Sequence, residues 1–406
     1  MNQINQAAIE ASDPLPVIAI PLLSLAAFAA SASARVTDTQ LPQLALEFNI
    51  SLGQASATVT SFAIAYGVAQ LLFGPLGDRY GKYLVVALVC IASAMAALLC
   101  GFATSFPMLV ASRLVAGVAA AAIIPLSMAW IGDVIPYQVR QPIIARFLIG
   151  QILGLSTGMF VGGLAADALG WRMPFFGIAA IFLVAGLALL HYNRSLPAHA
   201  RVTHRAEGAA LRRVVNEFRQ VWAKPWARFV LLCVFIEAAA VFGAIAFVAS
   251  HLYRSFGVSL TAAGSLVMFF GLGGILFALA SKALLQRFGE VGVARLGGAL
   301  AAIFLLVIAL SPTWWWAAPA CFVVGLGYYM LHNTLQTNAT QMAPERRGAA
   351  VSAFASSFYF GQSAGVGLAG MMVETTGTTF ILVAGGIGVL LAGWAFSARR
   401  RTRPVA

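Results

Sequence analysis

Gly74-Pro75-Leu76-Gly77-Asp78-Arg79-Tyr80-Gly81-Lys82 is a short polar stretch between two long apolar runs. Its position predicts a tight turn at a membrane surface. Gly77 and Gly81 allow backbone conformations that other residues resist. Asp78 is suited to accept hydrogen bonds from a helix N-terminus. Arg79 and Lys82 mark the cytoplasmic side of a bilayer.

The rest of the chain agrees with a membrane setting. Of 406 residues, 61% are hydrophobic and 9% charged, and the mean hydropathy is +0.88. A soluble domain carries about 25% charged residues. One span needs about 20 apolar residues, so twelve spans with short loops fit this length. Apolar runs place them near 17–41, 54–76, 84–104, 107–131, 142–166, 174–193, 229–251, 260–285, 293–311, 315–338, 348–373 and 378–398. Trp314, Trp315 and Trp316 form an interfacial belt at the outer end of span 10. Cys90, Cys100, Cys233 and Cys321 lie in apolar runs, with neither metal-ligand spacing nor disulfide logic. They are small packing residues, and no metal site is expected. Residues 1–16 lack a basic n-region and contain Glu10 and Asp13, so no cleavable signal peptide is expected.

Lysine and arginine fix the orientation. With both termini in the cytoplasm, 21 of the 25 basic residues fall in inside loops and the C-terminal tail. Arg35, Arg172 and Arg254 fall outside, and Arg113 falls within a span. This asymmetry accounts for the net charge of +12 without nucleic acid. The longest polar segment, 194–228, separates a first six-span unit (1–193) from a second (229–406). Within it, Leu211, Val214, Val215, Phe218, Val221 and Trp222 recur at helical spacing with arginines opposite. An amphipathic helix on the membrane surface and a solvated linker both fit.

The two units repeat. A shift of 208 residues places Leu76 on Leu284, Arg79 on Arg287, Gly81 on Gly289, Gly117 on Gly325, Pro136 on Pro344 and Gly162 on Gly370. Gln286 stands where Asp78 does. Span 5 carries Gly150, Gly154, Gly158 and Gly162 every fourth residue, one small-residue face for close helix approach. Span 11 offers Gly361 and Gly365 in the same spacing.

The stretch GPLGDRYGK resembles the G-x-L-x-D-R-x-G-r/k signature of the major facilitator superfamily. Gly74, Leu76, Asp78, Arg79, Gly81 and Lys82 meet its defining positions. Leu109 to Ala121 resembles the span 4 signature L-x-x-x-R-x-x-q-G-x-g-a-a, with Ala116 at the usually polar position. The span 5 glycines resemble the antiporter signature G-x-x-x-G-P-x-x-G-G, with Met159 at the proline position, a departure that weakens an export assignment. The glycines are equally explained by helix packing.

The resemblance implies an all-α membrane fold, twelve transmembrane helices in two pseudo-symmetric six-helix bundles, with a substrate site between them. It implies that Asp133 pairs with Arg79 while Asp78 caps span 11 near Gly348, Ala349 and Ala350. Both contacts would hold the halves closed at the cytoplasm; an ion pair without a gating role is the other reading. Gly154 and Gly158 are expected to pack against span 8. Arg113 is read as a coupling or substrate residue, or else as a structural ion pair, because an arginine inside a bilayer needs a wet cavity or a partner.

Arg35 and Asp38 are one turn apart near the outer end of span 1. Either they pair at the rim, or Asp38 faces the cavity and partners Arg113. Glu237 lies nine residues into span 7, roughly 13 Å deep at 1.5 Å per residue. His332, protonated, is its expected partner; a plain helix–helix hydrogen bond is the alternative. Asn333 and Gln336 share the inner half of span 10 with His332. Phe235, Phe242, Phe247, Tyr328 and Tyr329 offer an aromatic wall, though such residues also pack or face lipid.

The expected function is proton-coupled export of a small, partly apolar compound by alternating access in a bacterial-type inner membrane. Its partners are the substrate, protons and the lipid bilayer. No cofactor is expected beyond the proton gradient, and a monomer is expected by analogy. Proton symport of an organic anion is the nearest rival, and a non-transporting receptor the next. No nucleophile–base set appears and the five histidines are scattered, so an enzyme is not expected.

Overall fold

Where a chain crosses lipid, each backbone polar group must be satisfied within its own segment, which favours helices. The computed structural model describes residues 18–201 and 210–401, and among them there is no strand. The expectation about residues 1–16 lies outside the described residues. Spans 1 to 3 are Ala19–Arg35, Ala57–Tyr80 and Lys82–Gly101. Span 4 is Phe106–Ala120 with Ile123–Val134, span 5 is Tyr137–Leu164, and span 6 is Met173–Asn193. Span 7 is Pro225–Phe256 and span 10 is Ala317–Gln341. Spans 8 and 9 run through Leu260–Val267 and Phe269–Leu310, reversing at Gly289 (φ 65°, ψ 173°). Spans 11 and 12 run through Arg347–Arg401, reversing at Gly377 (φ 79°, ψ 165°).

Two differences from the sequence reading change what the elements present. Residues 74–80 are not a turn: span 2 stays helical through Tyr80, and Gly81 alone reverses the chain (φ 91°). Gly77 is helical and sits where a side chain would meet Leu126. Span 1 ends at Arg35 rather than residue 41 because Thr37 to Gln40 are buried polar residues with bonds to make. Thr39 Oγ1 donates to the Met159 carbonyl at 2.8 Å, and Gln40 Nε2 to the Trp171 carbonyl at 3.1 Å. The short helix Leu41–Glu47 follows.

The repeat is written into the backbone. The positive-φ residues include three related pairs: Asn49 with Gly257, Gly81 with Gly289, and Gly170 with Gly377. The first two pairs are 208 residues apart and the third 207. Gly117 of span 4 lies on the Phe62 carbonyl of span 2, and Gly325 of span 10 on the Phe270 carbonyl of span 8.

The span 5 glycine face does not pack on span 8. Gly150, Gly154, Gly158 and Gly162 lie in turn against the carbonyls of Ser24, Phe28, Ala32 and Val36. Four-residue spacing defines a face but not its partner. Here the partner is the equally spaced stripe at the same depth in span 1 of the same bundle. Span 11 repeats the device on span 7, with Gly361 on Phe235 and Gly365 on Ala239. Span 5 does reach span 8, but through Met159 and Gly163, which meet Gly264 and Leu260. The residue matching Gly370 is therefore Gly163 rather than Gly162: Gly370 faces Gly53 and Ser56 of the other half.

Two apolar cores result, one built mainly from residues 19–200 and one mainly from 221–396. The bundles meet along spans 2 and 11 and spans 5 and 8. Tyr66 stacks on Tyr359 at 4.0 Å, and the contacts continue away from the face that carries Gly74–Lys82. On that basic face, a Cβ on Gly74 or Gly348 would meet nothing within 4 Å.

The linker forms the helix Ala210–Ala223. Val221 is buried, Phe218 half-buried, and Val215 and Trp222 exposed; the side chains of Leu211 and Val214 lie outside the description. Arg346 ties it to the loop before span 11 through Glu217 (3.6 Å) and Gln220 (3.0 Å).

Gly158→Leu is expected to destabilise the first bundle by at least the roughly 1–3 kcal/mol of an overpacked core, because backbone stands where the side chain would go. Thermal unfolding of the detergent-purified protein checks this. Unchanged stability would contradict the close contact of spans 1 and 5.

Candidate functional site

Charges buried at the seam need partners there. Arg35 and Asp38 are both buried and pair across one turn, Nη1 to Oδ2 at 3.4 Å. The guanidinium lies over the Phe242 ring of span 7, 3.8 Å from its centroid. Its Nη2 donates to Gln362 Oε1 of span 11 at 3.0 Å. The pair is therefore local, as one reading had it, but it is not at the rim. It touches the opposite bundle in two places.

Arg113 does not partner Asp38 in a hydrogen bond. It is wholly buried, and its Nε and Nη1 donate to the carbonyls of Thr58 (3.1 Å) and Ser33 (2.9 Å). Ser33 lies in the last turn of its helix, where carbonyls lack helical partners. The guanidinium covers the Phe62 ring at 4.2 Å. Its Nη2 has no hydrogen-bond partner among the described residues.

Glu237 is fully buried, and its Oε2 lies 2.9 Å from His332 Nδ1, the expected partner. His332 stacks on Tyr328 at 5.1 Å and packs against Phe354 and Phe358. Glu237 Oε1 and Asp38 Oδ1 have no hydrogen-bond partner among the described residues. Asn333 and Gln336 are exposed and stand outside this bonded cluster.

Aromatic rings connect these charges. Phe358 meets Tyr359 at 5.2 Å, Tyr359 stacks on Tyr66 across the seam, and Tyr66 meets Phe62 beneath Arg113 at 5.9 Å. Phe242 under Arg35 meets Tyr328 and Phe358 at 5.2 and 5.4 Å. Gln362, Tyr66, Phe358 and Tyr359 escaped the sequence reading, which named Arg35 only as a local partner for Asp38 and not for its contacts with Phe242 and Gln362.

On the basic face Asp133 pairs with Lys82 (2.5 Å) rather than Arg79. Lys82 also holds Asp78 at 3.3 Å, one helical turn away. Gly81 turns the chain so that the first residue of span 3 faces both acids. Arg79 lies instead over the Tyr80 ring at 5.2 Å. Asp78 does not reach Gly348, around which space is open.

Two six-span bundles meeting at a seam of buried charges form the fold of a membrane transporter. The sequence model of the Major Facilitator Superfamily matches residues 23–366 and, in a second match, 230–406. The chain belongs to that superfamily. It is similar to the uncharacterised transporter YceJ of Bacillus subtilis (strain 168), 24% identical over 83% of this chain and 84% of that protein. It is also similar to the multidrug export protein EmrB of Escherichia coli (strain K12), 29% identical over 41% of this chain and 34% of EmrB. Its fold is similar to that of a bacterial homologue of the human lysosomal transporter Spinster, solved inward-facing and unoccupied. There the TM-score is 0.75 at 20% identity, covering 96% of this chain and 98% of that one.

Arg35→Met leaves the Asp38 carboxylate buried and unpaired, which is expected to cost about 3–5 kcal/mol. Arg35→Met combined with Asp38→Leu should recover much of that loss. Thermal unfolding of the wild type and the two variants in detergent checks both statements.

Proposed function

We propose that this transporter exports a small, partly apolar compound, such as a drug, sugar or metabolite, in exchange for protons by alternating access. The observation that carries the reading is the buried Glu237–His332 pair inside an aromatic wall of Tyr328, Phe354 and Phe358. A carboxyl there is costly while charged and cheaper once neutral. Proton binding at Glu237 would loosen the histidine and ease reorientation of the bundles. The aromatic faces suit a ligand with apolar parts.

The bias of lysine and arginine supports a bacterial-type inner membrane with both termini in the cytoplasm. In that orientation the molecule is read as open to the cytoplasm. The bundles touch from the middle to the far face, while Asp78 is held by Lys82 instead of capping span 11. Export is supported by the likeness to EmrB. Buried Arg35 and Arg113, with Met159 at the proline position, favour the second reading, symport of an organic anion. The protein is proposed to work as a monomer, without cofactor or nucleic acid.

Glu237→Gln mimics the protonated acid. In proteoliposomes, its flux should lose dependence on the pH gradient while exchange across the membrane persists. Wild-type pH dependence in this variant would reduce the pair to a helix–helix hydrogen bond. The direction of proton movement on substrate addition separates export by exchange from symport.

Asp78→Asn should lose most of its flux with little loss of substrate binding, because the closed cytoplasmic face would lack its cap. Flux and thermal-shift binding measured on the same preparation check this.

A further inference from the structure

The first four N–H groups of a helix lack helical partners. At the face opposite Gly74–Lys82, the short helix Leu52–Ala55 that leads into span 2 and the helix Leu260–Val267 that opens span 8 begin with the same solution to that problem. A positive-φ residue, Asn49 or Gly257, is followed two positions later by a serine cap. Ser51 accepts from the Gln54 N–H, and Ser259 from the Ala262 N–H. Each serine serves the third position of its helix and leaves the first N–H without a partner from its own chain segment.

The opposite bundle supplies that partner in both cases. Glu374, from the end of span 11, accepts from the Leu52 N–H at 2.8 Å. Asp167, in the helical turn Ala165–Leu169 that follows span 5, accepts from the N–H groups of Leu260 (3.3 Å) and Thr261 (2.6 Å), and from Thr261 Oγ1 (2.7 Å). Both acids sit three residues before a positive-φ glycine, Gly170 or Gly377. Leu52 and Leu260 are 208 residues apart and Asp167 and Glu374 are 207 apart, so the two contacts are images of each other in the repeat. Apolar contacts tolerate sliding, whereas a carboxylate seated on backbone N–H groups fixes both distance and register.

We propose that Asp167 and Glu374 are reciprocal latches that hold this face shut, each bundle capping a helix of the other. This rests on the alternating-access reading, in which these bonds break together when the far face opens. Arg254, 3.5 Å from Glu374 within its own bundle, keeps that acid in place when the latch is open.

The test uses the full chain with Gly367→Cys as a reporter. A Cβ at 367 meets only Thr60 of the other bundle at 3.8 Å, so the new thiol fits the closed seam. The native cysteines are buried. Labelling by a membrane-impermeant maleimide is followed without substrate, with and without Asp167→Asn and Glu374→Gln. Each substitution should raise the labelling rate several-fold, and the two together by about the product of the single effects. Glu47→Gln removes an ion pair of the first bundle, that with Arg172 at 3.3 Å, and should leave the rate unchanged. A wild-type rate in the double variant would overturn the proposal. So would an equal rise with Glu47→Gln, which would mean general loosening. Monodisperse elution from detergent shows that the variants fold. Because labelling is read without substrate, a latch that fails here is distinguishable from a transport reading that fails in flux assays.

Discussion

Span 1 rests directly on the backbone of span 5. Lipid tails are as apolar as leucine, so no hydrophobic force drives two such helices together. Close packing must do it, and only glycine lets carbonyls on one helix approach the backbone of the next. The stripe Gly150, Gly154, Gly158 and Gly162 gives span 5 that contact with span 1. Gly361 and Gly365 give it to span 11 with span 7. These spans carry Arg35 and Gln362, which meet across the seam, and Glu237 with two of the rings that pack on His332, Phe354 and Phe358. Were span 1 to stand one side-chain thickness away, Arg35 would lose reach of both Phe242 and Gln362.

The seam solves a problem of charge. Arg113 gives its protons to two carbonyls and lies over a ring, while Arg35 shares an acid, an amide and a ring. Arg113 is thus held by dipoles and a ring face with no countercharge bonded to it, while Arg35 combines one carboxylate with an amide and a ring. Desolvating an ion pair is expensive, and its attraction often only offsets that cost. Dipolar partners allow an arginine to remain buried while the nearby acids keep free oxygens for other chemistry.

The fold was legible because hydropathy, basic-residue bias and a long loop signature are local properties of the chain. Glu237 and His332 were legible together because polar residues in a span have few places to go. Partner choice was not legible. The glycine stripe could not name span 1 over span 8, because spacing fixes a face and not its neighbour. Asp133 chose Lys82 over Arg79 because one glycine at residue 81 redirected the chain by a turn. Arg35 was legible as a partner for Asp38 but was placed at the rim instead of buried against the other bundle. Its burial depends on span 7 and span 11, more than 200 residues away in sequence.

The repeat does not keep one offset along its length. Residues up to Pro136 match their counterparts at 208 positions, Pro344 among them, whereas Gly154 and everything matched beyond it return at 207. The stretch from Pro136 to Gly154 is therefore one residue longer than the stretch from Pro344 to Gly361. In a helix a single residue is a rotation of roughly 100° and a rise of 1.5 Å. Span 5 starts its helix directly after Pro136, whereas a 3-10 turn, Pro344–Arg346, precedes the helix of span 11. Both faces nonetheless keep matched turns, Gly81 with Gly289 on one and Gly170 with Gly377 on the other, so the offset is absorbed between them.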